Sequence, residues 1–286
     1  MTFFPKSLRK RNWFVAILAT FIIAVIIAIA VPLAILIPNR GNGGQRSSVL
    51  LPLYIYPETS DTWSPLFDAV EARPELKFIV IVNPGSGPGL LAYPNDQYSA
   101  SIAKLNSYAN VQTVGYVRTG YASQNISSVV NEVSTYAGWS SNSSTLAMHG
   151  IFFDEAPHQY SAEAVEYMQV VNLAVKKTVG LQGDKTIIHN PGTVPDNRFN
   201  DPNTDITVVF EESYTAYSTK LSSLAALGGS RSQYCYMVHS APTTGLKRFV
   251  HKMSERAEYL FVTDNTQDYY ESFGADFSHF ADVVPS

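Results

Sequence analysis

Two pairs of adjacent acidic residues follow runs of apolar β-formers in this chain. Asp154 and Glu155 come directly after two phenylalanines, and Glu211 and Glu212 come directly after the apolar run Val208–Phe210. Because strand ends meet at one rim in a repeating strand-helix chain, we expect these carboxylates to face a common cleft. Cleavage of a glycosidic bond requires two carboxyl groups that face each other. The spacing therefore indicates glycoside hydrolysis, with Asp154, Glu155 and Glu211 as candidate catalytic residues.

Further polar and aromatic residues stand where the other predicted strands end. Tyrosine rings can stack on sugar faces, and Asn, His, Arg and carboxylate groups can bond sugar hydroxyls. Two alternatives stay open at this stage: Asp264 is equally well explained as a cap of the following helix, and the two histidines as structural residues. The candidate substrate-binding residues are Tyr54, Tyr56, Asn83, Tyr116, Arg118, His189, Asn190, Glu212, His239 and Asp264.

The sequence predicts no metal and no cofactor. Its six histidines are scattered, and neither His-x-His nor His-Glu-x-x-His occurs. A serine nucleophile is disfavoured as well, because no Gly-x-Ser-x-Gly elbow is present. Cys235 is the only cysteine, which excludes an internal disulfide and a multi-thiolate metal centre.

Eight short β-rich runs alternate with segments of helical periodicity. Eight such units in about 240 residues match a (β/α)8 TIM barrel, whose buried parallel strands are apolar on both faces. An open doubly wound sheet is the alternative, but no glycine-rich phosphate fingerprint follows the first strand. The predicted strands are Leu50–Pro57, Lys77–Pro84, Gln112–Thr119, Gly150–Ala156, Lys185–Pro191, Asp205–Ser213, Gln233–Ser240 and Glu258–Asn265. The predicted helices are Asp96–Ala109, Gln124–Ala137, Ala162–Thr178, Tyr214–Ala226 and Leu246–Arg256, and the segment after the fifth strand is mostly loop.

The N-terminal region predicts a membrane anchor. Residues 14–37 contain one polar side chain, Thr20, and are long enough to span a hydrocarbon core. Four basic residues precede this stretch, so the positive-inside rule places residues 1–13 in the cytoplasm as a basic tail. The apolar stretch is longer than a signal peptide core, which favours an uncleaved signal anchor over a cleaved signal peptide. A flexible linker over residues 38–47 would then join it to the barrel domain, residues 48–286, outside the cell.

Charge and modification motifs agree with an exported protein that does not bind nucleic acid. Six of the 20 basic residues lie in the first 46, which leaves 14 basic residues against 24 acidic ones in the remainder. An acidic body of this kind is a poor partner for nucleic acid. Asn125 and Asn142 begin glycosylation sequons, as expected for a cell-surface glycoprotein.

Six motifs occur in order along the chain: Pro52-Leu53-Tyr54-Ile55-Tyr56-Pro57, Ile81-Val82-Asn83-Pro84-Gly85-Ser86-Gly87-Pro88-Gly89, Gly115-Tyr116-Val117, Gly150-Ile151-Phe152-Phe153-Asp154-Glu155, His189-Asn190-Pro191-Gly192 and Val209-Phe210-Glu211. Together they resemble the spherulin-4 group, the fungal spherulation-specific cell-surface proteins related to glycoside hydrolase family 135. The resemblance covers about residues 49–284. It implies a (β/α)8 barrel, often behind an N-terminal membrane anchor, that hydrolyses α-1,4-linked N-acetylgalactosamine within the fungal polysaccharide galactosaminogalactan. By position, the acidic cluster of the group corresponds to Asp154, Glu155 and Glu211, and Asn83, His189 and Asn190 would contribute to the sugar site.

Two mechanisms and one non-enzymatic function stay open on the sequence. A retaining enzyme would use Asp154 as the nucleophile and Glu211 as the acid and base, with Glu155 in a supporting role. In a substrate-assisted mechanism, the acetamido oxygen of the sugar attacks, Asp154 orients it and Glu155 is the acid. A membrane-tethered carbohydrate-binding or wall-structural protein on the same barrel is the non-catalytic alternative.

Overall fold

Eight parallel strands close into a barrel in residues 44–286, the part of the chain that the computed structural model describes. Each strand pairs with the next along the chain, and β8 pairs with β1. The predicted (β/α)8 barrel is confirmed, and each predicted strand overlaps an observed one. The strands are β1 (Ser48–Leu53), β2 (Phe78–Val82), β3 (Val111–Arg118), β4 (Gly150–Asp154), β5 (Thr186–His189), β6 (Ile206–Ser213), β7 (Tyr234–His239) and β8 (Tyr259–Val262).

Helices follow every strand except β5, where the chain forms only a short 3₁₀ turn, Asn197–Phe199, as the loop prediction indicated. The five predicted helices are confirmed as α2 to α6, and two short helices, α1 and α7, were not predicted. The helices are α1 (Ser64–Ala72), α2 (Asp96–Asn106), α3 (Ile126–Asn142), α4 (Ala162–Lys177), α5 (Tyr214–Ala225), α6 (Leu246–Ser254) and α7 (Phe277–Val283).

Side-chain caps fix the points where loops of the C-terminal face enter their helices. Asn95, Asn125, Ser161 and Ser213 each accept a hydrogen bond from a backbone N–H in the first turn of α2, α3, α4 and α5. Such caps satisfy helix N–H groups that have no partner within the helix. The loops between strand end and helix are therefore anchored at both ends, which positions the side chains that they carry.

Close packing of helix α3 on the sheet depends on a glycine. A Cβ atom at Gly115 of β3 would lie 2.5 Å from the ring of Tyr136, and the Tyr136 hydroxyl donates to the carbonyl of Val82 at 3.1 Å. The tyrosine ring therefore lies directly on the backbone of β3, where no larger residue fits.

Residues 44–47 correct the predicted domain boundary. We predicted them as the end of the flexible linker 38–47, but Gly44 N donates to His251 Nδ1 at 3.1 Å and Gln45 N donates to Ser254 Oγ at 2.9 Å. Ser47 N also donates to a carbonyl near the C-terminus. The folded domain thus includes residues 44–47, because these backbone groups find partners on the barrel. The predicted tail 1–13, anchor 14–37 and linker residues 38–43 lie outside the described residues, and residues 44–286 contain no helix long and apolar enough to cross a bilayer.

Candidate active site

Asp154 lies at the end of β4 with its side chain toward the barrel axis. The preceding residue, Phe153, points outward, where its ring contacts the ring of His189 at 6.0 Å between centroids. Because successive side chains of a strand alternate between its two faces, Asp154 points inward. There its Oδ2 accepts a hydrogen bond of 2.6 Å from the hydroxyl of Tyr116 on β3.

Asn190 joins the carboxylates of Asp154 and Glu211. Its Nδ2 donates to Asp154 Oδ1 at 2.8 Å and to Glu211 Oε2 at 2.7 Å. Because both bonds meet at one nitrogen, the two carboxylate oxygens are at most about 5.5 Å apart. The Asn190 Oδ1 accepts from Gly192 N at 3.0 Å, which fixes the orientation of the amide. The two acids that were predicted to share a cleft therefore do so.

An irregularity in β6 decides which glutamate of the pair faces the axis. The pairing with β7 shifts between Val208 and Phe210, so Val209 is an extra residue, as in a β-bulge. Phe210 then points outward, where its ring contacts a tyrosine of α5. Glu211 therefore points inward to Asn190, whereas regular alternation from Val208 would have turned Glu212 inward.

Tyr270, which the sequence analysis missed, completes the network. Its hydroxyl donates to Glu211 Oε1 from the loop that follows β8. The backbone N of Tyr54 donates to the carbonyl of Tyr270 at 3.1 Å, and the Tyr54 ring meets the rings of both Tyr116 and Tyr270 edge to face at 5.5 Å. Burial, together with the nearby carboxylates, raises the pKa of all three tyrosines, so their hydroxyls remain donors.

The environment of Glu211 favours its protonated form. Burial is the largest cause that raises the pKa of Glu211, and the negative charge of Asp154 adds to it. Hydrogen bonds from Tyr270 and Asn190 oppose the increase, because they stabilise the ionised form. The balance is a raised pKa, which suits a residue that has to hold a proton for a leaving group.

Glu155 leaves the strand and pairs with Arg118 at the rim. Its backbone has a positive φ of 49°, so the alternation of β4 ends there. Arg118 Nε donates to Glu155 Oε2 at 2.8 Å, and the hydroxyl of Thr119 donates to the carbonyls of Asp154 (3.0 Å) and Glu155 (2.8 Å). These hydrogen bonds therefore join the end of β4 to the end of β3, beside Asp154 and Glu211.

His189, a predicted substrate-binding residue, lies away from the site. Its Nε2 is 2.8 Å from Oδ1 of the buried Asn172 on α4, and its ring is 5% exposed. Burial lowers the pKa of His189 to about 4, so the ring is neutral at neutral pH. The prediction is wrong because His189 and Asn190 point to opposite sides of β5, and Asn190 takes the inward side.

Asp264, also predicted to bind substrate, shapes the loop that carries Tyr270. Its Oδ1 accepts from Asp276 N at 3.3 Å, and a Cβ atom at Gly274 would overlap this carboxylate. The alternative on the sequence was a cap of the following helix, but the observed bond is to the backbone N of Asp276, which is itself the N-cap residue of α7. These contacts assign Asp264 to holding the loop in place.

The remaining predicted residues lie around the rim with partners of their own. His239 stacks on Tyr269 at 3.7 Å between ring centroids, and its Nε2 is 3.8 Å from an oxygen of the exposed Glu212. Asn83 Oδ1 accepts from Gly87 N at 3.0 Å and so shapes the loop after β2. The hydroxyl of the exposed Tyr56 accepts from an asparagine of the same loop region. Their roles as sugar contacts stay predictions.

Two further predictions concern metals and modification. Within residues 44–286, no group of three or more His, Cys, Asp or Glu side chains is placed to hold a metal ion. The side chains of Asn125 and Asn142 are exposed, at the N-cap and the last residue of α3. Both sequons are thus accessible, and glycosylation itself stays a prediction.

Comparison with known proteins identifies one family. Residues 48–284 match the model of the spherulation-specific family 4. Spherulin-4 from Physarum polycephalum is 28% identical over 232 residues, which cover 78% of this chain and 65% of that protein. The match thus spans slightly less than two thirds of the relative's own length.

A solved structure is similar over nearly its whole length. The crystal structure of Aspergillus clavatus Sph3 in complex with N-acetylgalactosamine (GalNAc) is 41% identical to this chain, with a TM-score of 0.81. The alignment covers 85% of this chain and 99% of that structure. At this level of identity the likeness extends to sequence as well as to the barrel.

Proposed function

The chain belongs to the spherulation-specific family 4, and from this membership and the geometry of the rim we propose an endo-acting glycoside hydrolase. Its substrate is α-1,4-linked N-acetylgalactosamine in a polysaccharide of the galactosaminogalactan type. The similar Sph3 structure, which holds GalNAc, supports the choice of sugar. The observation that carries the proposal is the single amide of Asn190 that binds both Asp154 and Glu211.

The spacing of the two acids supports a retaining mechanism. Retaining glycosidases place their carboxyl groups about 5–5.5 Å apart, whereas inverting enzymes need about 6.5–9.5 Å to admit a water molecule. The upper limit of about 5.5 Å between Asp154 Oδ1 and Glu211 Oε2 matches the shorter range. One acid is then close enough to attack the sugar that the other protonates.

The hydrogen bonds of the two acids support different roles. Asp154 accepts from Tyr116 and Asn190, so its carboxylate is oriented as a nucleophile. The raised pKa of Glu211, caused mainly by burial, supports the role of acid and base.

The reaction then proceeds in two displacements. An Asp154 oxygen bonds to the anomeric carbon while the glycosidic bond breaks, and the leaving oxygen takes the proton of Glu211. The ionised Glu211 then removes a proton from water, which attacks the anomeric carbon and releases Asp154. The configuration at the anomeric carbon is retained because it is inverted twice.

A substrate-assisted route with Glu155 as the acid receives less support. Glu155 Oε2 already accepts from Arg118, so this carboxyl would have to leave the ion pair while carrying a proton. Glu211, in contrast, already lies next to Asp154 through Asn190. Glu155 is better placed to hold Arg118 at the edge of the sugar site.

The location of the enzyme is part of the proposal. We propose that residues 14–37 anchor the chain in the membrane, with residues 1–13 in the cytoplasm and the barrel at the cell surface, and that Asn125 and Asn142 carry glycans. The basic residues before the apolar stretch support this orientation. Protease treatment of intact and of permeabilised cells tests it: the barrel should be cut in intact cells, and residues 1–13 only after the membrane is opened.

The decisive test is cleavage of N-acetylgalactosamine oligomers by the purified protein, followed by mass spectrometry. Asp154→Asn and Glu211→Gln should each lower the rate by about 10²-fold or more. Asp184→Asn is the matched control, because Asp184 is exposed on a loop at the opposite end of the barrel. Binding of oligomers without any shorter product would indicate the carbohydrate-binding alternative instead.

Two further measurements separate the mechanisms. A glycosyl ester trapped on Asp154, or cleavage of fully deacetylated polymer, would exclude substrate assistance, which needs the acetamido oxygen. Nuclear magnetic resonance of the first product reports its anomeric configuration, which should match that of the substrate.

A further inference from the structure

Exposed aromatic rings are concentrated on one half of the rim. Four tyrosines of residues 44–286 expose between 41% and 58% of their surface, and no phenylalanine or tryptophan of this region is as exposed. Each lies on a different loop of the C-terminal face, after β1, β2, β3 and β4. They are Tyr56, Tyr93, Tyr121 and Tyr160.

Tyr121 is the most exposed of the four and has the least favourable backbone. Gly120, Tyr121 and Ala122 have φ angles of 57°, 56° and 68°, so three consecutive residues are in the left-handed region. A side chain with a Cβ atom disfavours this region, and only the glycine adopts it without strain. Strain of this kind persists where surrounding contacts impose it, and it is concentrated at functional sites.

The contacts that impose this conformation come from the end of β4. Tyr121 N donates to the carbonyl of Glu155 at 2.6 Å, and the Thr119 hydroxyl donates to the same carbonyl at 2.8 Å. Glu155 directly follows Asp154, the proposed nucleophile. The backbone of Tyr121 is therefore attached beside the proposed nucleophile, while its ring is exposed to solvent.

A polar group lies at the edge of this ring. The ring of His158, on the loop after β4, meets the Tyr121 ring edge to face at 6.5 Å between centroids. A flat, exposed ring matches the apolar face of C–H groups that a pyranose presents.

We propose that Tyr121 forms a subsite that stacks against a sugar unit of the polysaccharide beyond the bond that is cleaved. The inference rests on the proposed function, which makes the occupant a unit of galacto configuration. The axial hydroxyl of such a sugar leaves its other face rich in C–H groups, the face that an aromatic ring binds.

The test compares N-acetylgalactosamine oligomers of increasing length as substrates of the wild type and of Tyr121→Ala. Loss of one stacking contact should lower kcat/KM about three- to tenfold for long oligomers, and less than twofold for the shortest oligomer that the wild type cleaves. Tyr121→Trp keeps a ring and should retain the preference for long oligomers. Val179→Ala is the control, since this exposed residue lies at the opposite end of the barrel.

Two additional readouts make the outcomes distinct. Tyr121→Gly removes the strained Cβ, so it should lose the preference for long oligomers while its Tm is not lowered, which separates the subsite from folding. Equal kcat/KM of the wild type and Tyr121→Ala on every length would overturn the subsite and leave the proposed function intact. If the wild type cleaves no oligomer, the proposed function fails. In that case, equal retention of the wild type and Tyr121→Ala on immobilised polysaccharide overturns the subsite as well.

Discussion

Removal of the Tyr270 hydroxyl should shift the pH dependence of the reaction upward. In Tyr270→Phe the ring keeps its contacts with Tyr54 and Phe261, and only the hydrogen bond to Glu211 Oε1 is lost. That bond lowers the pKa of Glu211 against the effect of burial. Without it, the pKa of the proposed acid rises further.

The size of the shift follows from the energy of one hydrogen bond to a charged group. Such a bond stabilises the ionised form by about 1.5 kcal/mol, and one pKa unit corresponds to about 1.4 kcal/mol. An acid catalyst is inactive once it is ionised, so activity declines above its pKa. The alkaline limb of the profile of kcat/KM against pH should therefore move up by about one pH unit.

The assay is hydrolysis of N-acetylgalactosamine oligomers between pH 4 and 9, with Tyr116→Phe as the matched variant. Tyr116 donates to Asp154 rather than to Glu211, so its loss should lower kcat and leave the alkaline limb in place. An alkaline limb that stays fixed in Tyr270→Phe, or that moves downward, would show that Glu211 is not the acid. A limb that moves equally in both variants would refute the separate roles of the two carboxylates.

Three further substitutions test the scaffold and the loop around the site. Gly115→Ala should lower the unfolding free energy by about 1–3 kcal/mol in urea denaturation, because its Cβ atom meets the ring of Tyr136. Gly274→Ala should reduce kcat with little change in Tm, because the new Cβ atom overlaps Asp264 and displaces the loop that carries Tyr270, the hydrogen-bond donor to Glu211. The buried His189 has a pKa near 4 in the folded state against about 6.5 when unfolded. The unfolded state therefore binds more protons between these values, and stability is lost by about 3 kcal/mol as the pH falls from 6.5 to 4. His189→Gln should remove most of that loss, and a slope that is unchanged in this variant would contradict the assignment.

The barrel and its central acids were predictable because the signals are local. Buried parallel strands appear as apolar runs, and the residue types that follow each run mark the rim, which is how Asp154, Asn190 and Glu211 were found. The two short helices were missed because each spans about two turns, too few for a clear helical period.

The wrong prediction for His189 and the missed Tyr270 depended on which face of a strand a residue occupies and on the path of a loop. His189 and Asn190 are both polar neighbours at a strand end, and their spacing alone does not show which one faces the axis. Tyr270 reaches Glu211 only because Asn265 bonds the carbonyls of the loop and Asp264 holds its far end. Contacts of this kind within a loop leave no periodic signal in the sequence.

The extra residue in β6 has a consequence for how this site tolerates change. Residues 211 and 212 are both glutamate, so the backbone conformation of β6, and not the residue type, decides which of them points to the barrel axis. A second glutamate one position away is therefore no substitute for the first. Glu211→Gln should stay inactive although a neighbouring carboxylate remains, unless the strand slips by one residue, and a structure of that variant would reveal such a slip as Glu212 bonded to Asn190.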